Sequence, residues 1–189
     1  MDIVLSILIG IGLSAACGFR VFVPMAGLSL ASITGHITLS PEFAWLGTWT
    51  ALIAFSTATV LEIAAYYIPW LDNILDSLMT PAAIVAGIIA TASVVADMSP
   101  FLKWTLAVIA GGGVAAVMQG GTVAIRASSS GATGGLANFS LSTVELIGAI
   151  IITILAFFLP IIAFFLVIVI CFKMIKSILN SFFVRKLLA

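Results

Sequence analysis

The stretch from Thr143 to Phe172 is 30 residues long and holds one charged side chain, Glu145. As a single helix it would extend roughly 45 Å. The hydrocarbon core of a bilayer is about 30 Å thick and takes about 20 apolar residues to cross. The rest of the chain argues for the same surroundings: 63% of its residues are hydrophobic and 7% charged, against roughly 25% charged in soluble domains. Seven basic and seven acidic side chains cannot cover a water-exposed surface of this size. Backbone polar groups in lipid must be satisfied within the chain, and no alternating barrel pattern competes, so helices are expected throughout. The predicted fold is an all-α polytopic transmembrane bundle of five or six spans, one membrane domain over residues 1–189.

The first span is predicted at Ile3–Phe22, with residues 23–35 continuing it past a kink at Pro24 or lying along the interface. A cleaved signal peptide is not expected, because Asp2 stands where a basic residue should. Residues 36–45 read as a polar loop and Gly47–Pro69 as the second span, closed by the aromatic cluster YYIPW. In LDNILDSLM (71–79), Leu71, Ile74, Leu75 and Leu78 share one helical side while Asp72, Asn73 and Asp76 take the other. That is the pattern of a short interfacial helix with a wet acidic face. Pro81 to about Val95 reads as the third span and Lys103–Arg126 as the fourth, followed by a Gly/Ser loop over 127–142. Pro160 makes the final run either one kinked span or two short ones meeting inside the membrane.

The tail KMIKSILNSFFVRKLLA (173–189) carries four of the seven basic residues, which places it in the cytoplasm of a plasma membrane, of bacterial inner-membrane type. Five spans then put Arg20 and Lys103 on the cytoplasmic side and Arg126 opposite; six spans move Arg20 and Lys103 outside. IGIGLSAACGFRVFV (9–23) is echoed by IAGGGVAAVMQGGTV (109–123), and TVLEIAA (59–65) by STVELIGA (142–149). The echo suggests two degenerate repeats, 1–98 and 101–178, inverted in the five-span topology, a plan common in transporters.

The few charged residues carry most of the functional information. A charge at the bilayer centre costs roughly 2.5–3.5 kcal/mol, so Arg20 and Arg126 either snorkel to the headgroups or line a polar cavity with partners. Ser56, Thr59, Glu62 and Tyr66 are spaced by three and four, a polar stripe that should face protein or water rather than lipid. Glu145 closes the capping box STVE with Ser142, or serves the polar path. The Gly/Ser stretch with Asn138 is either a connector or a nest of N–H groups suited to an anion beside Arg126. The candidate substrate path is therefore Arg20, Thr59, Glu62, Tyr66, Arg126, Asn138 and Glu145. Gly111, Gly112, Gly113, Gly120 and Gly121 are candidates for a close helix interface, including one between copies of the chain. Cys17 and Cys171 read as packing residues, and with His36 the only histidine no metal site, catalytic triad or cofactor is expected. The chain is not expected to be an enzyme or to bind nucleic acid.

Three segments, GLSAACGFRVFVPMAGL, LEIAAYYIPWLDNILDSLMTPAAIVAG and GATGGLANFSLSTVE, resemble the small multi-pass membrane proteins grouped as domain of unknown function 4126. The resemblance covers nearly the whole chain. It makes Glu62, Pro69, Asp72, Gly134, Gly135, Asn138, Ser142 and Glu145 family positions. The chain departs from the family at Tyr66 and Tyr67, where an aspartate–lysine pair is usual, and at Leu146, where a second acid is usual. The resemblance implies the architecture and no particular chemistry. From the residues themselves, the expected function is a small transporter or channel-like protein for a solute or ion, with a non-transporting scaffold or lipid-interacting protein as the alternative.

Overall fold

The computed structural model describes residues 2–68, 71–134 and 137–187, apart from the side chains at 72, 73, 132, 133, 177 and 180–187. Pro69, Gly135 and the side chains of Asp72, Arg185 and Lys186 thus lie outside the described residues. Among the described residues all regular structure is helical. The elements are α1 (Ile3–Cys17), α2 (Phe22–Ile33), a 3-10 turn (Pro41–Gly47), α3 (Trp49–Tyr66), α4 (Leu71–Val94), α5 (Pro100–Leu106), a π-helical segment (Ala107–Gly112), α6 (Gly113–Thr133), α7 (Asn138–Phe158) and α8 (Pro160–Leu187). Trp49–Tyr66, Ile74–Val94, Pro100–Gly131 and Asn138–Phe158 are long and apolar enough to cross a membrane. The chain is an integral membrane protein.

Helix α1 is apolar on every side because it has no lipid-facing side over most of its length. Its residues Leu13 to Cys17 are all buried, with α4, α6, α7 and α8 packed around it. An all-round apolar helix is the expected occupant of such a central position. Small residues let the neighbours come close: the Ser14 hydroxyl donates to the Gly87 carbonyl at 2.7 Å, and the Thr91 hydroxyl to the Gly10 carbonyl at 3.2 Å. Hydrogen bonds of this kind are the ordinary adhesive between helices where no hydrophobic driving force separates protein from lipid.

The same close contacts give the direction of each rod. Gly12 meets Ala156 and Phe19 meets Gly148, so α1 and α7 are antiparallel. Gly10 with Thr91 and Ser14 with Gly87 oppose α1 to α4 in the same way. Gly111 lies beside Gly87 and Thr91 while Met118 lies beside Gly18, so α6 runs parallel to α1. Ala163 beside Gly12 and Met174 beside Gly121 align α8 with both. Gly27 of α2 packs on Thr153, and Gly47 ahead of α3 meets Ser32, so α2 follows α7 and α3 opposes it. The chain therefore reverses at every break, and the breaks after Cys17, Tyr66 and Thr133 collect at one end of the bundle.

Several expectations are corrected here. The first span does not kink at Pro24 but ends at Cys17, and α2 turns back beside it. Pro24 sits in the first turn of α2, where a missing N–H costs nothing. The expected interfacial helix at 71–79 and the third span are one helix, α4, with Pro81 inside it. The Gly/Ser stretch is not a loop: α6 runs to Thr133, where Gly134 leaves the helix at φ 62°, and α7 begins at Asn138. Leu159, at φ −139° and ψ 58°, breaks the last run, and two separate rods pack side by side. Arg20 and Arg126 lie at the same end and Lys103 at the other, contrary to the five-span and the six-span assignments alike, which both put Arg20 and Lys103 on one side. The first halves of the sequence echo lie in α1 and α6, which run parallel rather than inverted; the second halves, in α3 and α7, do oppose each other.

At the far end, the turn Pro41–Gly47 is latched to the bundle. Lys103, whose side chain is 5% exposed, donates to Glu42 Oε1 at 3.0 Å, and Phe43 packs on Trp104. The Glu42 carboxyl is held below the usual carboxylate range by a backbone N–H first, and by the Lys103 ammonium and Ser40 hydroxyl after it. A depressed carboxylate stabilises the fold above its unfolded-state pKa and stops doing so as pH falls through the folded value. Protection against hydrogen exchange over 36–47, corrected for the intrinsic pH dependence of amide exchange, is expected to fall on acidification below the ordinary glutamate range. Glu42→Gln should show the lower protection at every pH, and an unchanged pH profile in that variant would refute the latch.

Candidate functional site

The end of the bundle that gathers the reversals after Cys17, Tyr66 and Thr133 also gathers nearly every polar residue singled out in the sequence. Arg20 stands in the break between α1 and α2 and is 2% exposed. Its Nη2 donates to the Ser142 carbonyl at 2.9 Å and lies 3.5 Å from Glu145 Oε2. Arg126, 1% exposed on α6, donates through Nη1 to Asp76 of α4 and through Nη2 to Glu145 of α7. Between the arginines lies Tyr66 of α3, its ring centroid 3.9 Å from the Arg20 guanidinium carbon and 4.5 Å from that of Arg126. The Tyr66 hydroxyl donates to Asp76 Oδ1 at 3.2 Å. Aromatic faces attract guanidinium groups, more strongly where water is excluded. Four rods and the break between α1 and α2 are thereby joined through one buried ionic cluster.

Glu62 has a separate task. Its two carboxylate oxygens accept the N–H groups of Val21 and Phe22, at 3.0 and 3.2 Å. These are unsatisfied donors at the start of α2, and a carboxylate there also opposes the positive end of the helix dipole. The break between α1 and α2 is thus built by an acid 40 residues further along the chain, which is why proline spacing did not locate it. Among the described residues no lysine, arginine or histidine comes within 4.0 Å of that carboxylate, since the ion pairs formed are Arg20–Glu145, Lys103–Glu42, Arg126–Asp76 and Arg126–Glu145.

The structure therefore brings together Arg20, Glu62, Tyr66, Arg126 and Glu145. Asn138, buried at the start of α7, donates to the Ser130 hydroxyl at 2.8 Å and pins the end of α6. Thr59 is not part of the cluster. Its hydroxyl bonds the Phe55 carbonyl of its own helix at 2.8 Å, and with Ser56 it borders an outward cleft of about 300 Å³. The polar stripe on α3 splits because Glu62 and Tyr66 face the bundle while the turn before them faces out. The capping role of Glu145 is also corrected: α7 starts four residues before Ser142, so both residues lie inside the helix. Of the glycines, a Cβ at Gly111, Gly112 or Gly121 would run into Gly87, Ile88 or Met174 of the same chain, whereas one at Gly113 or Gly120 would meet nothing within 4 Å.

Sequence reasoning missed Asp76, assigned to a wet face but 6% exposed and paired with Arg126. The signal was available: once α4 continues through Pro81, Asp76 belongs to a span-length helix and needs a partner. It also missed Gln119 and Thr122, which precede Arg126 by seven and four on α6 and are each 2% exposed. Arg20 Nε and Nη1, Arg126 Nε, Gln119 Nε2 and Ser142 Oγ are buried with no hydrogen-bond partner among the described residues. Each such donor costs about 1–3 kcal/mol if left unmet, so this layer is suited to polar guests.

No curated protein and no solved structure matches the chain. Residues 7–180, by contrast, match the family described as Domain of unknown function (DUF4126), and the chain is a member of that family.

Proposed function

We propose that this protein is a membrane transporter of a small solute or ion, not an enzyme, and that the layer of Arg20, Glu62, Tyr66, Asp76, Arg126 and Glu145 is where its cargo is handled. One observation carries the reading: two arginines and three acids, none more than 6% exposed, are concentrated in a chain with seven basic and seven acidic residues in all. Burying charge in a lipid-facing bundle costs several kcal/mol per ion even after relaxation, and intramembrane ionisable clusters of this kind mark substrate and ion pathways. Donors left over on Arg20, Arg126, Gln119 and Ser142 offer the layer further bonding capacity.

The orientation follows from the charges at the two ends. Arg20 and Arg126 share an end with Lys173 and Lys176, which flank the contact of Met174 with Gly121, while Lys103 is at the other. By the positive-inside rule this end, with the C-terminus, belongs in the cytoplasm.

In proteoliposomes, Arg20→Ala and Glu62→Gln are each expected to cut solute or proton flux at least tenfold while the protein still inserts and runs as a single detergent-solubilised species. Flux that both variants leave unaltered would remove the layer from transport and favour a structural role.

A further inference from the structure

The groove between α3 and α4 leads to Glu62. At one end a cleft of about 230 Å³ is walled by Phe22, Ala58, Leu61, Leu75 and Met79, with Glu62 among its lining residues. Phe22 is also a wall of a second cleft, of about 460 Å³, that follows α2 between Phe55, Leu78 and Val85. Leu61, Leu78 and Val85 are 64%, 62% and 54% exposed, so the groove opens sideways onto the apolar surface of the bundle rather than towards either end.

We infer that this groove takes a lipophilic cation, an apolar body carrying an ammonium or phosphonium charge, which enters from the membrane and places its charge at Glu62. The inference rests on the transport reading and names its substrate class. Charge complementarity supports the choice. The buried layer holds two cationic and three anionic side chains; Arg126 and Arg20 are committed to Asp76 and Glu145, and Glu62 is the acid with no cation within ion-pair distance. The two N–H groups that Glu62 accepts hold its carboxylate in place and leave lone pairs over. The layer's unbonded donors are not among the residues lining this cleft, whose walls are apolar side chains and Glu62. A cation with an apolar body gains from the walls and from the carboxylate.

The experiment is equilibrium binding of radiolabelled tetraphenylphosphonium to the full-length protein in neutral detergent, with tetraphenylborate as the anion of the same shape. Saturable binding is expected, weakened at least tenfold by Glu62→Gln and by Ala58→Phe, which fills the cleft without touching the ionic cluster. Tetraphenylborate, tested in a separate sample, should not bind. Saturable binding of tetraphenylborate alone, or tetraphenylphosphonium binding indifferent to both substitutions, would overturn the inference and leave the groove a slot for lipid tails or a second copy. Because binding is measured without a membrane gradient, its absence alongside Glu62-dependent flux in liposomes would sink the cation while leaving transport standing. Binding without flux would do the reverse.

Discussion

Arg126→Ala is expected to destabilise the protein by about 3–5 kcal/mol, the usual cost of removing one partner from a buried ion pair. Two carboxylates would lose their cation at once: Asp76 on α4 and Glu145 on α7 both take hydrogen bonds from this guanidinium. Arg20 is 3.5 Å from Glu145 but has no ion pair with Asp76, so it cannot compensate on both sides. Arg126→Lys should recover only part of the loss, since the compact ammonium, although it has three N–H donors, cannot span α4 and α7 as the two terminal guanidinium nitrogens do. The decisive variant is the triple change Arg126→Met, Asp76→Asn, Glu145→Gln. Replacing buried paired charges by neutral residues of similar volume is often close to neutral, but Arg20 then loses its Glu145 partner, so only part of the lost stability should return. Unfolding in mixed detergent micelles measures all three. A triple variant as unstable as Arg126→Ala would mean that the cluster is not held together by charge pairing.

The triple variant also separates stability from transport. It should fold and insert, yet carry at least tenfold less flux, because the layer then keeps only Arg20 and Glu62 of its five buried charges. A fold restored together with full activity would confine the cluster to a structural role.

How much of this was legible in the chain depended on whether the cause was local. The solvent was legible from the rarity of charge, and Arg20, Glu62, Tyr66, Arg126 and Glu145 stood out because polar residues in apolar helices need partners wherever the helices go. The partners themselves were not legible. Asp76 completed a convincing wet face over nine residues, and only the continuation of α4 through Pro81 turns that face inward. The break before α2 was read at Pro24, the local signal, whereas its cause is Glu62 accepting the N–H groups of Val21 and Phe22. Ser128, Ser129 and Ser130 with Gly131 have weak helix propensity, which tertiary packing overrides; α6 persists to Thr133, with Asn138 bonded to Ser130 across the turn. For the break before α2 and for Asp76, a residue far away in sequence decided between two locally acceptable readings.

Glycine chemistry gives the second large effect, and its sign depends on position along one pair of helices. Gly18→Ala is expected to cost about 1–3 kcal/mol or more, the range for overpacking a filled interior. A Cβ there would stand 2.4 Å from Met118 Cβ and 2.7 Å from the Ala115 carbonyl oxygen. The second contact is with backbone, so no rotamer change relieves it, and α1 and α6 must separate. Backbone conformation is not the obstacle, because Gly18 has φ −72° and ψ −15°, which alanine adopts freely. Gly120→Ala, two residues beyond Met118 on α6, meets nothing within 4 Å and should stabilise by about 0.5–1 kcal/mol through helix propensity alone. The two substitutions are chemically identical, so their difference isolates packing from propensity. Gly18 also sets more than its own contact. It fixes how closely α1 approaches α6, and Arg20 and Arg126 stand on those two elements with one Tyr66 ring and one Glu145 carboxylate between them. Gly18→Ala should therefore lose flux beyond what its lowered stability explains, at temperatures where it is still fully folded. Flux at the level of the unaltered protein under those conditions would show that the spacing of the arginines is not part of the transport machinery.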